Sequence, residues 1–185
     1  MANWSMVSVD PGLEGCGVAA WEGGRLVRAE YLRARLKIDI KHDMSDWELS
    51  AWCVWRDYAT DGGVVRELVL ERPQVYARRL TTDPADLIAL ALLDGALAGF
   101  FRRENQFIKV TTYLPAEHKG QIKKPASAKA ANDYIIRNRA LARLSDEEQL
   151  GIVQCAPGLM HNIWDAVWIG LHHLGRTRGL AVSSS

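Results

Sequence analysis

The stretch that decides the fold is Met6-Val7-Ser8-Val9-Asp10-Pro11-Gly12, in which an uncharged, mostly apolar run ends on an acid and a turn. The run predicts a short buried strand, and Pro-Gly after Asp10 predicts the turn that ends it. Val18–Trp21 reads as a second strand, and Gly23-Gly24 forms a hairpin turn into a third strand near Leu26–Leu32. The chain is therefore predicted to begin with a three-stranded meander.

Strands and helices alternate in the rest of the sequence. Ser45-Asp46-Trp47-Glu48 is a capping box that predicts a helix to about Tyr58. Asp83-Pro84 predicts the start of a second helix, which runs to about Arg103. The remaining predicted elements are strands at Val64–Leu70 and Phe107–Thr112, a Lys-rich loop at Pro115–Pro125, and helices from Ser127 to about Leu144 and from Met160 to about Leu174. This order predicts an α/β fold, with a mixed sheet covered by helices on both sides.

The composition is that of an ordinary globular domain. Of 185 residues, 48% are apolar and 24% are charged, which predicts one domain over residues 1–180 and a frayed tail over residues 181–185. The absence of a run of about 18 apolar residues and of a signal peptide predicts no membrane span. We expect a cytoplasmic or nucleoid-associated protein of a bacterium or phage, or one of an organelle matrix, with reduced cysteines.

Positive charge is concentrated in one segment. Residues 102–143 carry ten Lys or Arg and three Asp or Glu, a net charge of +7 in a chain whose total is +1. Such asymmetry favours a surface that binds a polyanion, although a solvated helix face followed by a solvated loop has the same composition.

Three acids sit at the ends of, or inside, apolar runs. Asp10 closes the first strand, Glu71 follows Leu68-Val69-Leu70, and Asp165 lies within the apolar run 161–169. Because an ionised carboxylate at the edge of a core is costly unless it is paired or coordinated, we predict that the three hold divalent metal for phosphodiester chemistry. The alternatives are a turn-forming Asp10, a surface Glu71, and an Asp165 satisfied by a neighbouring histidine.

Four short motifs resemble those of the RuvC family of Holliday junction resolvases, within the RNase H-like superfamily. They are Val7-Ser8-Val9-Asp10-Pro11-Gly12, Gly17-Val18-Ala19, Val69-Leu70-Glu71 and Trp164-Asp165-Ala166. The resemblance implies an RNase H-like fold with a five-stranded mixed β-sheet flanked by α-helices. It also implies a homodimer that makes paired nicks in four-way DNA junctions with two Mg²⁺ ions per site, or Mn²⁺ in their place. Asp10, Glu71 and Asp165 would be catalytic metal ligands.

The family places a fourth ligand, Asp or His, three residues before the last Asp. That position is Asn162 here, and His161 lies one residue further back. Asn162 would offer a neutral oxygen to the metal, whereas His161 can transfer protons near neutral pH. Both residues remain candidates for the fourth role, and we favour His161 for the chemistry.

The resemblance also implies residues that contact DNA. The family wedges an aromatic side chain into the junction soon after the strand Glu, and Tyr76 is the nearest match, although an ordinary half-buried Tyr is an equal alternative. Family lysines near the fifth strand reach the DNA backbone, and cations on a loop there would bind phosphates. The corresponding and neighbouring cations are Arg72, Arg78, Arg79, Lys119, Lys123, Lys124 and Lys129.

The predicted helix Pro84–Arg103 is apolar around most of its circumference, so it is either central or half of an interface. The resemblance implies a dimer contact here, with Ala91, Gly95 and Ala98 allowing close approach and Leu93 in the interface. Other functions stay open: another RNase H-like nuclease acting on branched DNA or an RNA–DNA hybrid, or a non-catalytic junction-binding module. An actin-type ATPase is disfavoured because the chain is too short for two lobes.

Overall fold

The computed structural model describes residues 5–13, 15–33, 45–59, 65–74, 83–119, 124–142 and 160–177. Five strands and five helices lie in these ranges. They are β1 (Met6–Asp10), β2 (Gly15–Glu22), β3 (Arg25–Arg33), α1 (Asp46–Ala59), β4 (Glu67–Glu71), α2 (Pro84–Glu104), β5 (Lys109–Tyr113), α3 (Pro115–Lys119), α4 (Lys124–Ala142) and α5 (Met160–His173).

The strands form one mixed sheet in the order β3-β2-β1-β4-β5. The meander β1–β3 is antiparallel, whereas β4 pairs in parallel with both β1 and β5. This confirms the predicted five-stranded mixed sheet flanked by helices. Because β1 and β4 are parallel neighbours, with Val9 opposite Leu70, Asp10 and Glu71 come to the same edge of the sheet.

The two faces of the sheet are covered by different helices. On one face, Val7, Val9 and Leu70 are buried in a cluster with residues of α1 and α2. On the other face, Met6 and Val69 are buried in a cluster with residues of α4 and α5. Since side chains alternate along a strand, Asp10 and Glu71 fall on the face that carries α5.

Helix α5 lies very close to the strands beneath it. A Cβ on Gly17 would overlap the backbone carbonyl of Asn162, and a Cβ on Gly170 would overlap the Trp21 indole. Ser8 Oγ accepts a hydrogen bond from Trp21 Nε1 at 2.9 Å and donates one to the carbonyl oxygen of Ala166 at 2.8 Å. Small residues and a buried hydroxyl therefore fix where α5 sits on the sheet.

Several predicted elements differ from the observed ones, including the fourth strand, which begins at Glu67 rather than Val64. The Lys-rich loop contains the helix α3, because Glu117 accepts a hydrogen bond from the backbone N–H of Leu114 at 2.6 Å and so caps its first turn. Helix α4 begins at Lys124 rather than after Ser127, and Ser127 is buried within it. The fifth strand begins at Lys109 because Asn105 and the turn after it link the end of α2 to β5.

The prediction that Leu93 lies in a dimer interface is wrong. Leu93 is fully buried in the core of its own chain, together with Leu97 and Phe101. The opposite face of α2 exposes Ile88 by 62% and Leu92 by 47%, so any interface on this helix must use those residues.

Helix α2 is also long and apolar enough to cross a membrane, with a mean hydropathy of 1.6 over 18 residues. The expectation of no membrane span rested on the lack of an unbroken apolar run, and Asp94 interrupts this one. Length and composition are weak evidence for a span, and one side of α2 packs into the core beside the sheet.

Candidate active site

Asp10 and Glu71 stand side by side at the carboxyl ends of β1 and β4. Both line one pocket, together with Pro11, Pro73 and Leu90. Ends of parallel strands are where open α/β sheets place their ligands. The sequence-based expectation that these two acids share one sheet edge is therefore met.

Asp165 reaches this end of the fold from helix α5. It is only 6% exposed, and the backbone of the next residue, Ala166, accepts the hydrogen bond from Ser8. One turn earlier, Asn162 packs on Gly17, which is the residue paired with Asp10 in the sheet. The helix thus carries Asp165 over the same sheet face to which Asp10 and Glu71 belong.

The described residues do not form a complete metal-binding cluster. Within those ranges, no group of three or more His, Cys, Asp or Glu side chains is arranged to hold a metal ion. Two acids share a pocket and the third lies on the covering helix, and each of the three already has a polar interaction. The three-acid metal site therefore stays a prediction.

His161 and Asn162 occupy the first turn of α5, and both are half-buried. His161 lies four residues and Asn162 three residues before Asp165, at the end of the helix that contacts β2. Their positions are compatible with either His161 or Asn162 in the fourth role.

A buried histidine, His118, was missed by the sequence analysis. Its Nε2 lies 2.7 Å from Glu71 Oε2, and its side chain is 0% exposed. It lies in α3, within the segment that was predicted to be a solvated Lys-rich loop. No sequence signal marks it, because the contact with Glu71 depends on a helix of five residues and on its packing against α5.

A half-buried acid on α2, Asp94, was also missed. Burial, followed by the negative charge of Glu71, raises the pKa of Asp94 to about 7, and Arg72 opposes this shift. Its Oδ1 is buried and has no hydrogen-bond partner among the residues that the structure describes. The sequence did contain a signal for Asp94, because it is a single acid in the middle of an apolar helix. The same kind of signal identified Asp165.

The predicted DNA contacts are only partly within the described chain. Arg72 is exposed directly after Glu71, and Lys129 is exposed on α4. Lys119 ends α3 directly after His118, and Lys124 begins α4. The other four predicted contacts, Tyr76, Arg78, Arg79 and Lys123, lie outside the described residues.

Comparison with known proteins finds similarity at the level of structure. No protein-family model matches the sequence, and no curated protein matches it. Among solved structures, Thermus thermophilus RuvC in complex with a Holliday junction substrate has a TM-score of 0.52 at 15% identity, covering 94% of each chain. Another Thermus thermophilus RuvC structure has a TM-score of 0.53 at 20% identity, covering 95% of this chain and 96% of that one.

A third similar structure is the yeast mitochondrial Holliday junction resolvase Ydc2, with a TM-score of 0.60 at 10% identity. The match covers 96% of this chain and 80% of that one. Identities this low establish a shared architecture, and the five-stranded mixed sheet with its flanking helices agrees with it. The chain therefore has the RuvC-type, RNase H-like fold that these Holliday junction resolvases share.

Proposed function

We propose that this protein is a structure-selective endonuclease that resolves four-way DNA junctions by metal-dependent hydrolysis of paired phosphodiester bonds. The observation that carries the proposal is the pairing of Asp10 and Glu71 in one pocket, in a fold shared with junction resolvases. Asp165 supports it from the helix that covers the same sheet face.

The donor set fits Mg²⁺ or Mn²⁺. Carboxylate oxygens are the hard ligands that these ions prefer, and Asp10 and Glu71 offer them at an open edge of the sheet. Burial and, after it, the negative charge of nearby Glu71 raise the pKa of Asp94, and a cation beside Glu71 would offset the second of these causes. In this proposal Asp10, Glu71 and Asp165 hold two ions per site, and the bound ions supply an activated water and a Lewis acid.

The residues at the start of α5 complete the chemistry. The Asn162 side-chain oxygen is a neutral ligand candidate, and His161 is placed one turn from Asp165 to move a proton at the reacting oxygens. An imidazole suits that task because its charge changes between pH 5 and 8.

The DNA would approach along the cations beside the pocket. Arg72 is exposed next to Glu71, and Lys129 is exposed on α4. With Lys119 and Lys124, they would neutralise backbone phosphates near the cut, and Tyr76, Arg78, Arg79 and Lys123, which lie outside the described residues, are proposed as further DNA contacts.

A homodimer would present two such sites to a two-fold junction. The exposed stripe of α2 consists of Ile88, Ala91, Leu92, Gly95 and Gly99. It lies opposite the buried face of Leu93 and Leu97, and a Cβ on Gly95 or Gly99 would meet none of the described residues within 4 Å. Pairing this stripe with its copy about a two-fold axis would bury it and let the glycines bring the helices close together.

One gel assay tests the proposed function. The purified protein is incubated with a labelled four-way junction, a linear duplex, a splayed-arm DNA and an RNA–DNA hybrid, each with and without Mg²⁺. We expect symmetric nicks in the junction only when Mg²⁺ is present. Preferential cutting of the hybrid would indicate another RNase H-like nuclease, and junction binding without cutting would indicate a binding module.

A further inference from the structure

The contact between His118 and Glu71 is unusual in how deeply the histidine is buried. The imidazole is 0% exposed and the Glu71 side chain is 17% exposed, while their Nε2 and Oε2 atoms lie 2.7 Å apart. Glu71 therefore has one oxygen against the protein interior at the point where its side chain enters the pocket.

The two ring nitrogens of His118 differ from those of an ordinary core histidine, which are usually hydrogen-bonded. Among the described residues, neither Nδ1 nor Nε2 has a partner with hydrogen-bond geometry, although Nε2 lies close to Glu71 Oε2. Leaving buried polar atoms in this state costs free energy. An apolar side chain would fill the same space without that cost, which points to a role in holding Glu71.

The backbone of His118 is itself anchored. Trp168 Nε1 donates a hydrogen bond to the His118 carbonyl oxygen at 2.9 Å, and the backbone N–H of His118 bonds to the carbonyl of Leu114 at 3.4 Å. Trp168 lies on α5, three residues after Asp165. His118 thus joins the strand acid, Glu71, to the helix that carries the third acid.

We propose that His118 is a positioning residue that holds Oε2 of Glu71 and so fixes the orientation of this carboxylate toward a bound divalent cation. The inference rests on the proposed function and deepens it. Partners that hold metal-ligating groups in place affect metal affinity or activity by about 10–100-fold when they are removed. We expect an effect of that size on the cation, with little effect on junction binding.

The same strand supplies a matched control. His173 Nε2 lies 2.7 Å from Glu67 Oε2, at the start of β4. This pair has the same atoms and the same distance as the His118–Glu71 pair, but Glu67 is four residues from Glu71 and does not line the pocket. Variants of His173 therefore report the loss of a His–Glu contact without loss of the proposed positioning.

The test compares His118→Gln, His118→Asn and His173→Asn in the full-length protein. A Gln amide nitrogen can take the place of Nε2, whereas an Asn amide takes the place of Nδ1 and cannot reach Glu71. Because both are amides in one buried site, they share the cost of burial, and thermal melts confirm that each variant is folded. The readouts are Mn²⁺ binding to the free protein by electron paramagnetic resonance, the Mg²⁺ concentration for half-maximal junction cleavage, and the junction KM.

We expect His118→Asn to weaken Mn²⁺ binding and to raise the Mg²⁺ requirement by about 10–100-fold at an unchanged junction KM. His118→Gln should restore most of the metal affinity, and His173→Asn should behave as the wild type. Equal behaviour of His118→Asn and His173→Asn would overturn the inference and leave the proposed function standing.

The wild-type protein separates the two proposals. Should it bind Mn²⁺ but cut no junction, the proposed function fails, and the Mn²⁺ affinities of the variants still decide the role of His118. Should it neither bind Mn²⁺ nor cut, both proposals are overturned.

Discussion

Gly17 of β2 lies directly beneath the backbone carbonyl of Asn162, so the first turn of α5 rests on the strand residue that is paired with Asp10. A single missing side chain therefore sets the distance between the helix that carries Asp165 and the strand that carries Asp10. The relationship makes Gly17 a determinant of the site although it has no chemistry of its own.

Gly17→Ala should destabilise the protein and separate α5 from the acids. The new Cβ overlaps backbone atoms that cannot rotate away, so we expect a loss of about 1–3 kcal/mol in the free energy of unfolding. Denaturant melts measure this, and cleavage assays should show a larger loss than in Gly170→Ala, which crowds the same helix two turns from the site. Equal activity losses would show that Gly17 acts only through stability.

Asp10→Asn or Glu71→Gln should abolish cleavage while junction binding persists. Each change removes a direct ligand in the proposed site, so the loss should exceed the roughly 100-fold effect of removing a supporting partner. Glu67→Gln, on the same strand as Glu71, is the control and should stay active. Binding is measured by gel shift in Ca²⁺, and a folded variant that no longer binds DNA would count against the metal role.

Asp94 should make the stability of the metal-free protein fall as pH rises. Burial and Glu71 raise its pKa from 3.8 to about 7 in the folded state, so between these values the folded chain keeps a proton that the unfolded chain has lost. The penalty grows through that window and approaches about 4 kcal/mol above it. In EDTA, Asp94→Asn should match the wild type near pH 4 and be more stable at pH 8, as followed by urea melts. Parallel stability curves for the two proteins would contradict the raised pKa.

Leu92→Asp should produce folded monomers. Leu92 is exposed on the α2 stripe, so a charge there disrupts a two-fold contact without entering the core. Leu93→Asp, one residue along, should instead unfold the chain, because it buries an unpaired charge in the cluster with Leu97. Sedimentation velocity with circular dichroism distinguishes the two, and a stable Leu92→Asp dimer would refute the interface.

Replacing Lys119, Lys123 and Lys124 together with Ala should weaken junction binding and flatten its salt dependence. If all three contact phosphates, the slope of log K against log salt should fall by about 3 units. Lys109→Ala removes an exposed cation at the opposite end of β5 and should change neither quantity. Binding isotherms at several salt concentrations test this, and an unchanged slope in the triple variant would remove these lysines from the DNA surface.

The sequence predicted the parts of the site that depend on local patterns. Asp10 and Glu71 each end a short apolar run, and parallel pairing of those runs then brings them to one edge. Asp165 was visible because a charge inside an apolar helix needs an explanation. Leu93 was misplaced because α2 is apolar nearly all round, so periodicity alone could not tell its core face from its exposed face.

The features that escaped prediction depend on long-range packing. His118 meets Glu71 only because α3 forms within a polar loop and its backbone is tied to Trp168, fifty residues later in the chain. Asp94 carried a usable signal, but its effect depends on a neighbour, Glu71, supplied by another element. No periodic pattern encodes either contact.

The Ser8 hydroxyl, which links Trp21 to the carbonyl of Ala166, has a mechanical consequence. A helix that slid along the sheet by even one residue would break the bond from Ser8 to Ala166 inside a buried interior, which opposes sliding of α5 over β1. Any adjustment to the proposed junction substrate would then involve elements other than the packed unit of β1, β2 and α5.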